Sequence, residues 1–418
     1  MRNLKTKLLA MAAFLLGSTL AVAQDSGPLI EALLRKGILT DQEAEDLRAD
    51  LANDATAKLA STSLTPNLSK MTISGRFQAQ FVSLDTDIKG TLADPTPVNH
   101  AFLRRIYVGF KPVFSNGWSA YLNYDFAGST FDAAYIEKIF SPALVVNAGF
   151  KKAPIGYEEY FISSGALKSI ERSALTRFFV ESNNGRRLGA GSYRQGVWVL
   201  GKQGGWSYEV AVTNPEREES SAGAAGVGSA ANNNFAYWGN LNYQQAFAET
   251  QGLFKMGTSI GFLPDQGGKT LGAGNDLTVW SIYADLRYRQ FSVLGEYMGS
   301  NNEQGVSATV DAKSAGYYLQ ASYRHGALEP VVRYTFVDSD GRGVQISDGI
   351  RSAPSGGTMN ELTEWFFGAN WYIIGNEAKH EVKLQAGYLF GESRDSILGV
   401  AGPKANTQGF RSQLQVNF

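Results

Sequence analysis

From residue 70 onward, apolar and polar residues alternate with a period of two. In the first such segment Ile73 and Phe77 share one face, and Arg76 lies on the other. A period of two is typical of β-strands, because successive side chains point to opposite faces of a sheet. The pattern recurs in about sixteen segments of roughly ten residues, and strands of that length cross a bilayer when they are tilted. The alternation therefore predicts an all-β fold, a transmembrane antiparallel β-barrel of about 16 strands over residues 70–418.

The connections between these segments alternate between long and tight. Outer-membrane barrels have long loops on the exterior side and short turns on the periplasmic side, so this alternation favours a barrel. A soluble β-sandwich is the alternative, but its strands are shorter and its turns lack this alternation. One connection departs from the rule, since Gly128–Thr130 is short where a long loop is due. The predicted long connections include residues 83–101, 152–185, 300–312, 338–360 and 391–407.

The first residues have the features of a secretory signal peptide. Basic residues precede a short apolar stretch, Leu8–Leu20, which is followed by Ala21-Val22-Ala23. About a dozen apolar residues are too few to span a bilayer. Residues 1–23 are therefore predicted to be removed during export, so that the mature chain works outside the cytoplasm.

Residues 24–69 have a helical rather than a strand-like pattern. Leu29 and Leu33 recur at helical spacing, and Thr40 with Glu43 forms a capping box that begins a second helix. The pattern predicts a short periplasmic helical segment and a linker before the barrel. Two roles stay open for this segment, which are a solvated spacer and a trimerisation element.

Composition excludes several classes of function. The chain has no Cys, which excludes disulfides, zinc ribbons and thiol catalysis. Its formal net charge of −1 gives no basic surface for nucleic acid. His100, His325 and His380 are scattered without a neighbouring nucleophile, and His380 falls on the lipid-facing side of its strand. The sequence therefore predicts no enzyme, no catalytic residue, no cofactor, no metal site and no nucleic-acid partner.

The chain ends in the alternating strand FRSQLQVNF, whose last residue is Phe418. This strand resembles the closing strand of bacterial outer-membrane proteins, in which the terminal aromatic residue is recognised by the barrel-assembly machinery. The resemblance implies that machinery as a partner and the bacterial outer membrane as the location. Tyr and Trp residues near the ends of many segments are typical of the aromatic girdles at both membrane interfaces.

The segment FDAAYIEKIFSPALVVNAGFKKAPIGYEE, followed by IERS, resembles the phosphate-selective porin O and P family. The strand FLRRIYVGFK adds the family's paired arginines at Arg104 and Arg105. The resemblance implies a trimer of barrels that carries anions past arginines and lysines. By similarity to general porins, the loop over residues 152–185 is expected to fold into the lumen and set the pore width. The matching positions are Ala134, Tyr135, Pro142, Gly149, Lys152, Pro154, Glu158, Glu171, Arg172 and Ser173.

Basic residues on the lumen-facing side of the strands or in the third exterior loop are candidates for anion selectivity. A ring of Arg or Lys in a water-filled pore lowers the barrier for anions, and guanidinium groups pair bidentately with phosphate oxygens. The alternative stays open that acidic residues such as Glu137, Asp285 and Glu329 neutralise these cations, which then only fix the loop and the wall. The candidates are Arg76, Arg105, Lys151, Lys152, Arg172, Arg177, Arg324, Arg333 and Arg411.

The sequence thus predicts an outer-membrane porin that lets small hydrophilic solutes diffuse through a water-filled channel, with anion preference as an open question. One alternative is a channel selective for phosphate or polyphosphate, with a binding site in the lumen. The other is a non-transport barrel with an adhesive or structural role. The expected partners are outer-membrane lipid, further copies of this chain in a homotrimer, and small anionic or neutral solutes.

Overall fold

The structure, a computed structural model, describes residues 67–89, 93–181, 184–214, 234–247, 252–268, 275–377, 380–397 and 400–418. The predicted signal peptide and residues 24–66 of the predicted helical segment lie outside the described residues. The described residues form one antiparallel sheet, which closes on itself.

All strands of this sheet pair with their neighbours along the chain, which is the up-and-down arrangement of a barrel. The strands are β1 (Leu68–Lys89), β2 (Val98–Phe114), β3 (Trp118–Asp125), β4 (Thr130–Ser141), β5 (Leu144–Lys152), β6 (Tyr193–Gln203), β7 (Trp206–Thr213), β8 (Ala236–Phe247), β9 (Gly252–Leu263), β10 (Leu277–Tyr288), β11 (Phe291–Ser307), β12 (Val310–Ala312), β13 (Ala315–Tyr323), β14 (Leu328–Asp338), β15 (Glu361–Gly375), β16 (His380–Ile397) and β17 (Val400–Asn417). Because β12 and β13 both pair with β11 and are separated only by Lys313 and Ser314, they form one interrupted strand. The 17 strands of the sheet therefore make a closed barrel of 16, which confirms the predicted fold.

The barrel closes between its first and last strands. β1 pairs with β17 without a register shift, from the pair of Arg76 and Asn417 to the pair of Lys89 and Lys404. An unpaired backbone group in lipid costs several kcal/mol, so closure removes the sheet edge that a membrane would not tolerate.

The strands are apolar outside and polar inside. On β1, Phe77 and Phe81 are exposed on the outer surface, whereas Gln78 and Gln80 are buried inside the barrel. The amide groups of Gln78 and Gln80 bond to lumen-facing glutamines of β17 at 2.5 and 2.8 Å. This arrangement is the reverse of a soluble protein and confirms the predicted assignment of the two faces.

Two of the predicted long connections are extended hairpins rather than irregular loops. Residues 300–312 fall mostly in β11 and β12, and residues 391–407 fall mostly in β16 and β17. Strand pairing depends on backbone groups and needs no alternation of apolar side chains, so the hairpins continue beyond the alternating pattern. For the same reason β1 extends to Lys89 rather than ending near residue 83.

His380 faces the lumen, and the predicted lipid-facing position was wrong. Its Nε2 lies 3.0 Å from the carbonyl oxygen of Gly165. The register between β15 and β16 shifts here, because Ile374 pairs with Val382 while the next residue, Gly375, pairs with His380. Such a shift moves the following side chains to the opposite face of the sheet.

Loop 3, residues 153–192 between β5 and β6, folds into the barrel. It contains two short helices, α1 (Tyr157–Tyr160) and α2 (Ala174–Phe179). The side chain of Ser173 caps α2 by accepting a hydrogen bond from the backbone N–H of Thr176 at 3.2 Å. The inward fold that the resemblance implied is therefore present in the structure.

Loop 7, residues 339–360 between β14 and β15, contains a third short helix, α3 (Ile346–Gly349), which lies against α2. Asp348 of α3 accepts a hydrogen bond from Arg186 of loop 3 at 2.9 Å. In the part of the chain that the structure describes, no helix has the length and apolarity needed to cross a lipid bilayer.

Candidate functional site

Loop 3 is held in the lumen partly by an apolar cluster. Leu175 and Phe178 of α2 are fully buried. They belong to the same cluster as Met298 of β11, Tyr318 of β13 and Val337 of β14. Burial of such side chains contributes about 1.5–3 kcal/mol each, so this cluster fixes the loop against one side of the barrel wall.

The chain enters the lumen through a sharp turn at Gly156, whose positive φ of 76° suits glycine. The turn directs the first backbone N–H groups of α1 at a wall carboxylate. Tyr157 and Glu158 donate these N–H groups to the carboxylate of Glu296 at 2.5 and 3.2 Å. The hydroxyl of Tyr157 also donates to Asp285 of β10 at 2.8 Å. Acidic residues of β10 and β11 therefore serve to hold loop 3.

Glu158 is the polar centre of loop 3. Its Oε2 accepts hydrogen bonds from the Ser173 hydroxyl at 2.7 Å and the Thr176 hydroxyl at 2.6 Å. Its Oε1 lies 3.3 Å from the guanidinium group of Arg333 on β14. The same guanidinium group binds Glu364 of β15 at 2.9 Å. Arg333 is only 1% exposed, so this predicted pore-lining residue anchors loop 3 to the barrel wall.

Glu171 gathers arginines from three parts of the chain. Its carboxylate lies 2.6 Å from Arg104 of β2, 3.2 Å from Arg351 of loop 7 and 3.8 Å from Arg411 of β17. Burial alone would raise the pKa of Glu171, but the surrounding guanidinium groups of Arg104, Arg351 and Arg105 outweigh burial and hold it well below its ordinary value. The carboxylate is thus ionised at every physiological pH, and Arg411 is 2% exposed beside it.

A second cluster joins loop 3 to loop 7. Arg177 of α2 binds Glu181 at 2.9 Å, and Arg351 of loop 7 binds the same carboxylate at 3.1 Å. Burial raises the pKa of Glu181, but Arg177 and Arg351 lower it more, to about 2. Arg177 also donates to the carbonyl oxygen of Ser347 at 3.2 Å. This predicted candidate therefore joins the two loops.

The remaining candidates of loop 3 and β5 are paired with carboxylates as well. Arg172 and Lys152 share the carboxylate of Glu159, at 2.7 and 2.6 Å. Lys151 binds Glu209 of β7 at 2.7 Å. Charge at these positions is therefore neutralised locally by Glu159 and Glu209.

Three of the predicted cations are not paired in this way. Within the described ranges no carboxylate lies within 4.0 Å of Arg76, Arg105 or Arg324. Arg76 donates to the side chains of Asn417 and Ser164 at 2.9 and 2.8 Å. Arg105 donates to the side-chain oxygen of Gln78 at 2.9 Å. Arg324 donates to the carbonyl oxygen of Gly326 at 2.9 Å and lies over a tyrosine ring, 4.4 Å from its centroid. None of the three therefore forms an ion pair among the described residues, and Arg76 and Arg324 are partly exposed whereas Arg105 is buried.

Tyrosines line the lumen-facing side of β2, β3 and β4. Tyr121 of β3 and Tyr135 of β4 are paired in register on this wall, with ring centroids 5.5 Å apart. Both rings are partly exposed, and the Arg76 guanidinium lies 5.9 Å from the ring centroid of Tyr107 on β2. We call this face, defined by Tyr107, Tyr121 and Tyr135, the open wall.

Parity reasoning missed Arg104, since neighbouring residues of a regular strand point to opposite faces. The structure brings both Arg104 and Arg105 inside, the first to Glu171 and the second to Gln78. The paired arginines of the FLRRIYVGFK strand were the available signal. Arg351 and Glu181 were missed because each owes its role to a contact between two loops, which no local pattern reveals.

Comparisons with known proteins support the barrel fold. The sequence profile described as "Phosphate-selective porin O and P" matches residues 71–418. An anion-selective porin from Comamonas acidovorans is similar in structure, with 12% identity, a TM-score of 0.56, and coverage of 84% of this chain and 99% of that chain. The trimer form of OmpT, an outer-membrane protein of Vibrio cholerae, has 10% identity, a TM-score of 0.50, and coverage of 84% and 99%. At such identities the similarity shows the fold alone. No protein of the curated set matches the chain.

Proposed function

Because this chain belongs to the phosphate-selective porin O and P family and is therefore a porin of the bacterial outer membrane, we propose that it passes small hydrophilic solutes by diffusion with a preference for anions. The observation that carries the preference is the contrast among the predicted cations. Arg76 and Arg324 are partly exposed and have no carboxylate within 4.0 Å among the described residues, whereas the arginines of loop 3 are neutralised.

The solute path that fits this contrast runs between loop 3 and the open wall. Loop 3 bonds directly to many other lumen-facing strands, including β11 through Glu296 and β14 through Arg333. Arg76 lies at the border between the loop and the open wall, where its Nη1 contacts Ser164 of loop 3. An uncompensated cation at a constriction lowers the barrier for anions and raises it for cations.

One acid opposes this preference. Asp132 of β4 accepts a hydrogen bond from Asn123 at 2.9 Å and another from the hydroxyl of Tyr193. Hydrogen bonds from neutral groups leave its negative charge in place. We therefore expect a moderate preference for anions rather than exclusion of cations.

Selectivity for phosphate is less favoured as a proposal. Bidentate recognition of phosphate needs guanidinium groups with free N–H donors. Arg172, Arg177 and Arg333 already bind the carboxylates of Glu159, Glu181 and Glu364. Selectivity for phosphate is therefore supported only by the family description. The proposed preference for anions in general rests on Arg76.

The oligomer and the assembly route belong to the same proposal. We propose a homotrimer, which the trimer form of the similar Vibrio cholerae protein supports. We also propose recognition of the last strand by the barrel-assembly machinery. In support, the Phe418 ring is 70% exposed, while its backbone pairs with Gly75 at 2.7 and 3.1 Å. The family and fold indicate a channel rather than an enzyme.

Reversal potential across a salt gradient tests the anion preference. In planar bilayers the native porin should show a potential of the anion-selective sign, and Arg76→Gln should move it towards the cation-selective side. Arg289→Gln is the matched control, since Arg289 is an exposed cation in the periplasmic turn after β10, outside the lumen. A cation-selective native channel, or equal shifts for both variants, would contradict the proposal.

A further inference from the structure

A cavity of about 560 Å³ lies inside the barrel below loop 3, beside the turns at the periplasmic end of β9–β15. Phe161 of loop 3 lines its upper side, and Leu294 of β11 lines its wall. Lys255 of β9 and Arg324, just after β13, lie at its two sides. The volume is in the ordinary range of small-molecule sites, which is about 300–1,000 Å³.

On the side that faces the exterior, the cavity is lined by loop 3 through Tyr157, Glu158 and Phe161. Its roof is α1, whose backbone N–H groups at Tyr157 and Glu158 are bonded to Glu296. Beyond this roof, Leu294 continues into the apolar cluster that contains Met298 and Tyr318. Solutes that enter the cavity from the periplasm therefore meet α1 and this packed cluster on that side.

Part of the lining is apolar and aromatic. Tyr157 stacks on Tyr283 with ring centroids 3.9 Å apart, and Phe161 lies 5.5 Å from Tyr157. Ile162 and Leu294 extend this surface. Phe161 is 41% exposed, so its ring is available to a ligand. An apolar ring is the natural occupant, because its burial releases water from these faces.

The charged residues of the lining are not all neutralised. Lys168 binds Glu329 at 2.7 Å and Glu377 at 2.9 Å, and Arg287 binds Asp285 at 3.2 Å.

Lys255 and Arg324, in contrast, have no carboxylate within 4.0 Å among the described residues. Lys255, Asp285, Leu294 and Gln320 form one row across four adjacent strands. With neighbouring strands 4.7–4.9 Å apart, this row is about 14 Å long. Lys255 lies at one end of it, and Gln320 at the other end lies four residues before Arg324.

We propose that this cavity is a periplasm-facing binding site for a small organic anion that carries an apolar or aromatic ring. A bare inorganic anion would leave the exposed ring of Phe161 in contact with water. A neutral ring would leave Lys255 and Arg324 without a counter-ion. The proposal goes beyond diffusion of anions, because it concerns retention of a ligand away from the open wall.

Equilibrium binding to the purified porin in detergent tests the proposal, with phenyl phosphate as the probe. Isothermal titration should give saturable binding, after subtraction of a titration into protein-free micelles. Inorganic phosphate lacks the ring and benzyl alcohol lacks the charge, so each makes only part of the contacts of phenyl phosphate. Both should bind at least about tenfold more weakly than phenyl phosphate.

Variants locate the site. Lys255→Gln and Arg324→Gln should each weaken the binding of phenyl phosphate by about tenfold. Phe161→Ala should also weaken it, and because Phe161 is exposed this variant keeps the test valid if a charge variant does not fold. Arg289→Gln changes the same charge in the neighbouring turn, outside the cavity, and should leave binding unchanged.

Three results would overturn the site, which are absence of saturable binding, inorganic phosphate binding as tightly as phenyl phosphate, and Arg289→Gln weakening binding as much as Arg324→Gln. These readouts are separate from the reversal potential. Absence of binding would contradict the binding site but not the preference for anions. A cation-selective reversal potential would contradict the preference for anions but not the binding site.

Discussion

Two parts of the barrel wall carry polar lumen-facing residues, and they use them differently. The wall from β13 to β17 carries Arg333, Glu364 and Arg411, which are buried against the charged groups of loop 3 and loop 7. The open wall carries Tyr121 and Tyr135, whose rings are partly exposed. The difference shows that a position inside the barrel does not by itself make a cation available to solutes. Its partners decide whether it holds a loop or faces the channel.

The largest expected effect is on the wall that holds loop 3. Glu171→Gln keeps the size of the side chain but leaves Arg104, Arg351 and Arg411 without their shared carboxylate. Removing one partner from a buried ionic cluster costs about 3–5 kcal/mol. We expect faster hydrogen exchange across residues 170–181 and a larger or noisier single-channel conductance.

Glu361→Gln is the control for this variant, because its partner Arg394 is 48% exposed at the outer surface. Exposed pairs contribute about 0–1 kcal/mol. Equal effects of Glu171→Gln and Glu361→Gln would show that the interior cluster does not hold the loop.

Acid should loosen the same region. The pKa of Glu181 falls from the ordinary 4.5 to about 2 on folding. Because this pKa is lowered, the stabilisation is complete above about pH 4.5 and is lost as the pH falls towards 2, with a total of about 3 kcal/mol. Hydrogen exchange of α2 at pH 6 and pH 3 measures this. Unchanged protection of α2 at pH 3 and below would contradict the role given to Glu181.

The smallest effect is expected on the open wall. Tyr121→Phe removes a hydroxyl from a partly exposed ring, and we expect a change in unfolding free energy within about 0.5 kcal/mol. Tyr157→Phe removes the hydroxyl that donates to Asp285 at 2.8 Å and should cost about 1–3 kcal/mol. Thermal unfolding in detergent compares the two. Similar losses in both variants would remove the distinction between the walls.

The alternation of residues was enough to predict the barrel, because each strand meets lipid on one face and the lumen on the other. The arrangement of Ile73, Phe77 and Arg76 is a local property that one segment can reveal. The fate of the lumen cations is not local. Arg333 and Glu158 are 175 residues apart in the chain, and their contact depends on how loop 3 lies inside the closed barrel.

Irregular strands set a second limit on sequence reasoning. Arg104 and Arg105 both reach the lumen, and His380 lies on the opposite face from the one its parity indicates. At His380 a shift in the register between β15 and β16 reverses the parity, and such a shift leaves no trace in the composition of the segment.

One contact of loop 3 joins it to the last strand of the barrel. Gly165 accepts a hydrogen bond from Gln415, which lies 250 residues later, close to the end of β17. Such a contact cannot form until the final hairpin has been added and the sheet has closed. Before that point loop 3 lacks this contact, so its attachment to the wall is completed only when β17 has been paired.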